Sequence, residues 1–156
     1  MNLSNRSKCI VVMAAGIVSV AAGLGWNFNA VHAAAAPANN KAFMIGTVGP
    51  ATQPIWDFGY ADKVTDADWA NIQQAATKLL ASVPMVASGG STLPAEQTRA
   101  KSPVWQDWTK QMSDAVKEAK AAADKKDQMG LQTSGDKLLD ICAGCHTAFD
   151  PTAGKY

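Results

Sequence analysis

The chain has 156 residues, with 14 Lys and Arg against 13 Asp and Glu and a formal net charge of +1. A nearly neutral chain lacks the basic excess that nucleic acid requires, which argues against that partner. One domain is expected at this length.

Arg6 and Lys8 make a short basic start, and an apolar run follows from Cys9 through Leu24. Val31-His32-Ala33 and an alanine tract come next, small residues of the kind a signal peptidase accepts. We read residues 1–35 as a signal peptide, cut between Ala33 and Ala35, and 36–156 as the mature domain. The competing reading is an uncleaved anchor, because the run is near the lower length for spanning a bilayer. Gly16, Gly23, Gly25 and Ala33 favour cleavage. Loss of Arg6 and Lys8 leaves 12 basic residues against 13 acidic ones. Two cysteines and one histidine stay behind.

Asn39 or Asn40 can cap a first helix that runs through Met44 towards Ile55, Trp56 and Tyr60. Pro50 and Pro54 fall inside its pattern, where each removes a backbone donor. The expectation is a kinked helix, with two short helices as the alternative. Thr65-Asp66-Ala67-Asp68 reads as a capping sequence for helix two. Trp69, Ile72, Ala76, Leu79 and Val83 recur at helical spacing until Pro84, taken here as its stop. Ser88 to Ser102, with Gly89-Gly90 and Pro94, reads as a long loop.

Ser102-Pro103 opens helix three with a cap and a first-turn proline. Its stripe is Trp105, Trp108, Met112, Ala115, Ala119 and Ala122, spaced three and four as in a bundle seam. Asp124 to Asp127 is a polar break. The fourth segment carries Met129, Leu131, Leu138, Leu139, Cys142, Cys145, His146 and Phe149 before Pro151, with Gly130 and Gly135 weakening its first half. Leu138, Leu139, Cys142, Cys145, His146 and Phe149 are placed on one face. Met85, Met112 and Met129 are read as core fillers. Strand patterns are absent, and the fold class is all-α, an antiparallel four-helix bundle.

Cys142-Ala143-Gly144-Cys145-His146 carries the chemistry. Two cysteines three apart with an adjoining histidine read as a c-type haem attachment site. Each thiol adds to a haem vinyl group, and the imidazole is carried under the iron. A thioredoxin-like pair would sit at a strand-to-helix junction, and no strand pattern precedes this one. A structural zinc site would need a second ligand pair, which the mature chain lacks.

A leader, four helices and this motif on the last helix resemble the class II c-type cytochromes, the cytochrome c-prime group. The first helix is also similar to a branch with a Met-containing start followed by Pro and Trp, here Met44 to Pro50 and Ile55-Trp56-Asp57. The resemblance implies one haem c per chain, with Cys142 and Cys145 as thioether attachments and His146 as proximal ligand. It places a first-helix residue on the distal side, here Met44. A thioether there gives a six-coordinate iron and raises its potential; the competing reading makes Met44 an apolar filler. The group often has a basic residue after the haem histidine, where this chain has Thr147, Ala148, Phe149 and Asp150. An acid there would lower the potential, and Lys41 or Arg99 is left to face the propionates. Trp69, Trp105 and Trp108 read as core, Trp56 as a residue that could reach the haem, and Phe149 as packing on the ring or the bundle interior.

The expected function is a periplasmic one-electron carrier with His146 and Met44 as axial ligands. An open distal site binding nitric oxide or carbon monoxide is the alternative, and a docking subunit of a redox complex a third. The expected partners are periplasmic or membrane redox proteins, the cytochrome c maturation machinery and, by resemblance, a second copy paired through the first two helices. No catalytic set for hydrolysis or group transfer is visible, so an enzyme is not expected.

Overall fold

The computed structural model describes residues 37–150, so the leader assigned to residues 1–35 lies outside them. Asn39 caps α1 (Asn40–Phe43), its side chain accepting from the N–H of Ala42 at 2.8 Å. The chain then passes through a π-helical segment (Met44–Val48) directly into α2 (Gly49–Gly59). Neither a simple kink nor two separate helices results. The N–H of Gly49 reaches back five residues, to the carbonyl of Met44. In an α register the ring of Pro50 would press on the carbonyl of Gly46. The wider π register relieves that crowding without breaking the helix.

Helix α3 (Asp66–Ala87) begins with a full capping box. Thr65 N–H donates to Asp68 Oδ2 at 2.8 Å, and Asp68 N–H donates to Thr65 Oγ1 at 3.3 Å. Trp69, Ile72, Ala76, Leu79 and Val83 are all buried, as their spacing implied. Pro84 does not stop the helix, which runs on to Ala87. One proline denies a single donor to the preceding turn. The stop comes instead from Gly89 and Gly90, at φ +107° and +76°. There the Gly90 N–H closes back on Met85 O at 2.8 Å, a Schellman-type ending that needs left-handed backbone.

The stretch expected to be loop contains α4 (Pro94–Ala100). Its glycines and prolines are real punctuation, but Pro94 opens a helical turn here rather than interrupting one. Helix α5 (Pro103–Lys125) is capped by Ser102, which accepts from Trp105 N–H at 3.2 Å. Trp105, Met112, Ala115, Ala119 and Ala122 are buried, whereas Trp108 is only half-buried. The helix persists into the expected polar break and ends at Lys126, in left-handed backbone at φ 55°. Asp127 then caps α6 (Gln128–Phe149), accepting from Gly130 N–H at 3.0 Å.

Helix α2 packs against α3 and α6, and α5 packs against the same two, closing a ring of four. This is the antiparallel four-helix bundle expected from the sequence. Ile55, Ile72, Leu79, Val116, Leu131 and Leu138 are fully buried at its centre. Indole donors tie the arms together: Trp105 Nε1 to Val86 O and Trp56 Nε1 to Gly135 O, both at 3.0 Å. Two assignments on α6 are corrected. Leu139 is 54% exposed and Met129 78% exposed. Helix neighbours grip α6 on the side of Leu131 and Leu138; Leu139, one residue on, lies about 100° round the axis, and Met129, two residues back, about 200°, both towards solvent.

Candidate functional site

The last two turns of α6 bring Cys142, Cys145, His146 and Phe149 to one side, because positions i, i+3, i+4 and i+7 share a helix face. All four are half-buried. They line a cavity of about 520 Å³. Met44, Val48 and Trp56 line it from the first arm of the bundle, Glu96 and Arg99 from α4, and Trp105 from α5. The π segment therefore faces the Cys-His motif across one space. Met44 is its first residue, half-buried and packed on the core. The hydroxyl of buried Thr52 is already committed, donating to Val48 O at 2.8 Å.

Aromatic rings close the inner end. Phe149 meets Trp105 edge to face, with ring centroids 5.0 Å apart. Within the motif, Gly144 lies against the indole of Trp108, where a Cβ would come within 2.8 Å of Cζ2. The motif's small residue is thus matched to a half-buried tryptophan on the neighbouring helix.

Both thiols are free. Burial, and secondarily the neighbouring Cys145, push the Cys142 thiol up to about 11. Burial also raises Cys145, partly offset by the positive charge of Arg99. Redox-active Cys-x-x-Cys pairs work by the opposite arrangement, a thiol lowered towards thiolate. Among the described residues no group of three His, Cys, Asp or Glu side chains could hold a metal ion by itself. What remains is a half-buried imidazole flanked by two thiols, set in a largely apolar cavity. Its volume lies within the roughly 300–1,000 Å³ of cofactor sites. A haem fits that donor set: thiols for its vinyl groups, an imidazole for its iron and aromatic walls for its faces.

Lys41 and Arg99, the two cations expected near the propionates, both line the cavity. Asp150 lines it as well, its N–H bonded to His146 O at 2.7 Å. Trp56 is at the wall, with its indole N–H spent on Gly135. Sequence reasoning passed over Glu96 and treated Asn40 only as a cap. In the structure the Asn40 N–H donates to both Glu96 carboxylate oxygens, at 3.1 and 2.9 Å. The glutamate's place in the first turn after Pro94 was the available signal.

A family model described as Cytochrome C' matches residues 38–150. No curated protein matches the chain.

Proposed function

Because the chain belongs to the cytochrome c' family, whose members carry covalently attached haem c, we propose that it is an exported one-electron carrier of the Met-ligated kind. The observation behind this reading is that Met44 lines the same cavity as Cys142, Cys145 and His146. When bound, the haem supplies the ferric/ferrous couple. The protein's part is burial, fixed ligation and electrostatics.

In this reading Cys142 and Cys145 would hold the cofactor through thioether bonds, and His146 and Met44 would supply ligands to its iron. Their helices belong to one packed ring, so the two ligands hold their separation when the charge at the centre changes. Phe149 and Trp105 keep water from the inner edge. A thioether ligand beside the imidazole would favour the reduced state, while Asp150 would pull the other way. No bond is made or broken in a substrate, and the partners are redox proteins of the periplasm or its membrane. The leader of residues 1–35 provides export to the compartment where such haems are attached.

The test is the visible spectrum of the haem-loaded protein, oxidised and reduced, with and without carbon monoxide. Sharp reduced bands that ignore the gas are expected, and Met44→Ala is expected to change the ferric spectrum and admit carbon monoxide. A wild-type spectrum that shifts with carbon monoxide would sink Met ligation and favour gas binding. Buried Val48, on the same segment, would then be an apolar cover of the cavity.

A further inference from the structure

Two buried polar atoms among the described residues have no partner: Arg99 Nε and Asn40 Oδ1. Both residues line the haem cavity. A buried donor left without an acceptor costs roughly 1–3 kcal/mol, more for a charged group, so its persistence calls for a ligand. Arg99 is held in place by other means. Its guanidinium carbon lies 5.1 Å from the centroid of the Trp105 ring, an indole only 2% exposed and anchored on Val86 O. None of the ion pairs among the described residues includes Arg99.

The nearest acid on its own helix, Glu96, is occupied. Its carboxylate accepts the Asn40 backbone N–H and the Ser91 hydroxyl. That same hydroxyl accepts from Leu93 N–H at 3.0 Å, so the start of α4 is latched to the start of α1. The latch anchors the start of the helix that carries Arg99 and occupies that helix's own carboxylate. The other charged groups around the cavity are Lys41 from α1 and Asp150 at the end of α6. Lys41 is exposed, with a solvated ammonium on a flexible stem.

We propose that Arg99, oriented by α4 and backed by Asn40, is the carboxylate clamp that receives a haem propionate. The planar guanidinium offers paired donors that match a carboxylate. The side-chain amide of Asn40 adds a donor or an acceptor according to which way it is turned. Helix α4 is then part of the cofactor site: a short insert whose Glu96 latch presents one arginine. The proposal rests on the haem reading and adds to it a positioning residue outside the Cys-His motif and the first helix.

The experiment compares haem-loaded wild type, Arg99→Gln, Arg99→Lys and Lys41→Gln. Haem content, helicity and redox midpoint are measured at low and high salt. Loss of the half-buried cation is expected to favour the ferric form of Arg99→Gln by roughly tenfold. That is a midpoint about 59 mV lower for a one-electron couple, nearly unchanged by salt. Arg99→Lys is expected to recover part of the loss. Lys41→Gln is expected to fall less, by an amount that salt removes.

An Arg99→Gln protein with full haem, native helicity and the wild-type midpoint would overturn the clamp, and so would a larger, salt-resistant fall in Lys41→Gln. A structure of haem-loaded wild type decides independently of any variant. A propionate oxygen roughly 2.7–3.2 Å from Arg99 is expected, and both propionates turned away from it would overturn the clamp. Wild type that carries no covalent haem would instead overturn the haem reading beneath it.

Discussion

Residue-scale choices at this site are of two kinds, those forced by chemistry and those forced by space. The thiols and imidazole of Cys142, Cys145 and His146 belong to the first kind and are legible without a fold. Gly144 belongs to the second. Its place against Trp108 leaves no room for a methyl group, though the half-buried indole can swing outward. Gly144→Ala is therefore expected to cost about 1 kcal/mol, at the low end of overpacking penalties. Chemical denaturation of the haem-loaded protein measures it, and Trp108→Leu in the same chain should restore most of the loss. Equal stability of Gly144→Ala and wild type would mean that the contact carries no weight. Trp108 also shows where periodicity misleads: it keeps the stripe's spacing, yet it is only half-buried, against Gly144 of the Cys-His motif.

At the scale of elements, caps were the most readable features and stops the least. Thr65 and Asp68 satisfy each other's backbone donors at the start of α3, and Thr65→Ala is expected to cost about 1 kcal/mol near neutral pH. Hydrogen bonds from Thr65 hold the Asp68 carboxyl below its usual 3.8, and Lys126 does the same for Asp66 through a hydrogen bond and its charge. A carboxyl lowered in the folded state stabilises above its ordinary value, and the contribution fades as pH falls through the lower, folded one. The gap in melting temperature between wild type and Thr65→Ala should thus be steady above about pH 4 and narrow below it. A gap that widens in acid would reverse the sign of this account. The ends of α3 and α5 were set by left-handed backbone at Gly89, Gly90 and Lys126. A left-handed Lys126 leaves no mark in composition, and Pro84 was a decoy because one missing donor is cheap in a helix packed along its length.

For the whole molecule, the cofactor is a structural member as well as a functional one. A cavity of about 520 Å³ opens between α4, α6 and the first arm of the bundle. Chain made without haem attachment, or with Cys142→Ser and Cys145→Ser together, is expected to melt at a lower temperature. It should also exchange amide hydrogens faster in the π segment and in α4, while the α3–α5 pair keeps its protection. Uniform loosening would show that the haem is not a local support. Mass spectrometry of the exported protein checks the leader: a mature chain beginning between Ala34 and Ala36 is expected, whereas a chain retaining Met1 would favour the anchor.

The sequence by itself determined the helical class and the antiparallel bundle, and it displayed the Cys-x-x-Cys-His motif. Apolar periodicity over long helices and a Cys-x-x-Cys-His spacing are local codes, read without knowing any neighbour. Family resemblance alone could point to Met44. Only the tertiary structure decided what surrounds the motif: the π register that carries Met44, the helix hidden in an apparent loop, and the latch from Asn40 to Glu96 that anchors the helix carrying Arg99. Each of these depends on a contact between residues far apart in the chain. A buried atom without a partner exists only once distant segments have packed.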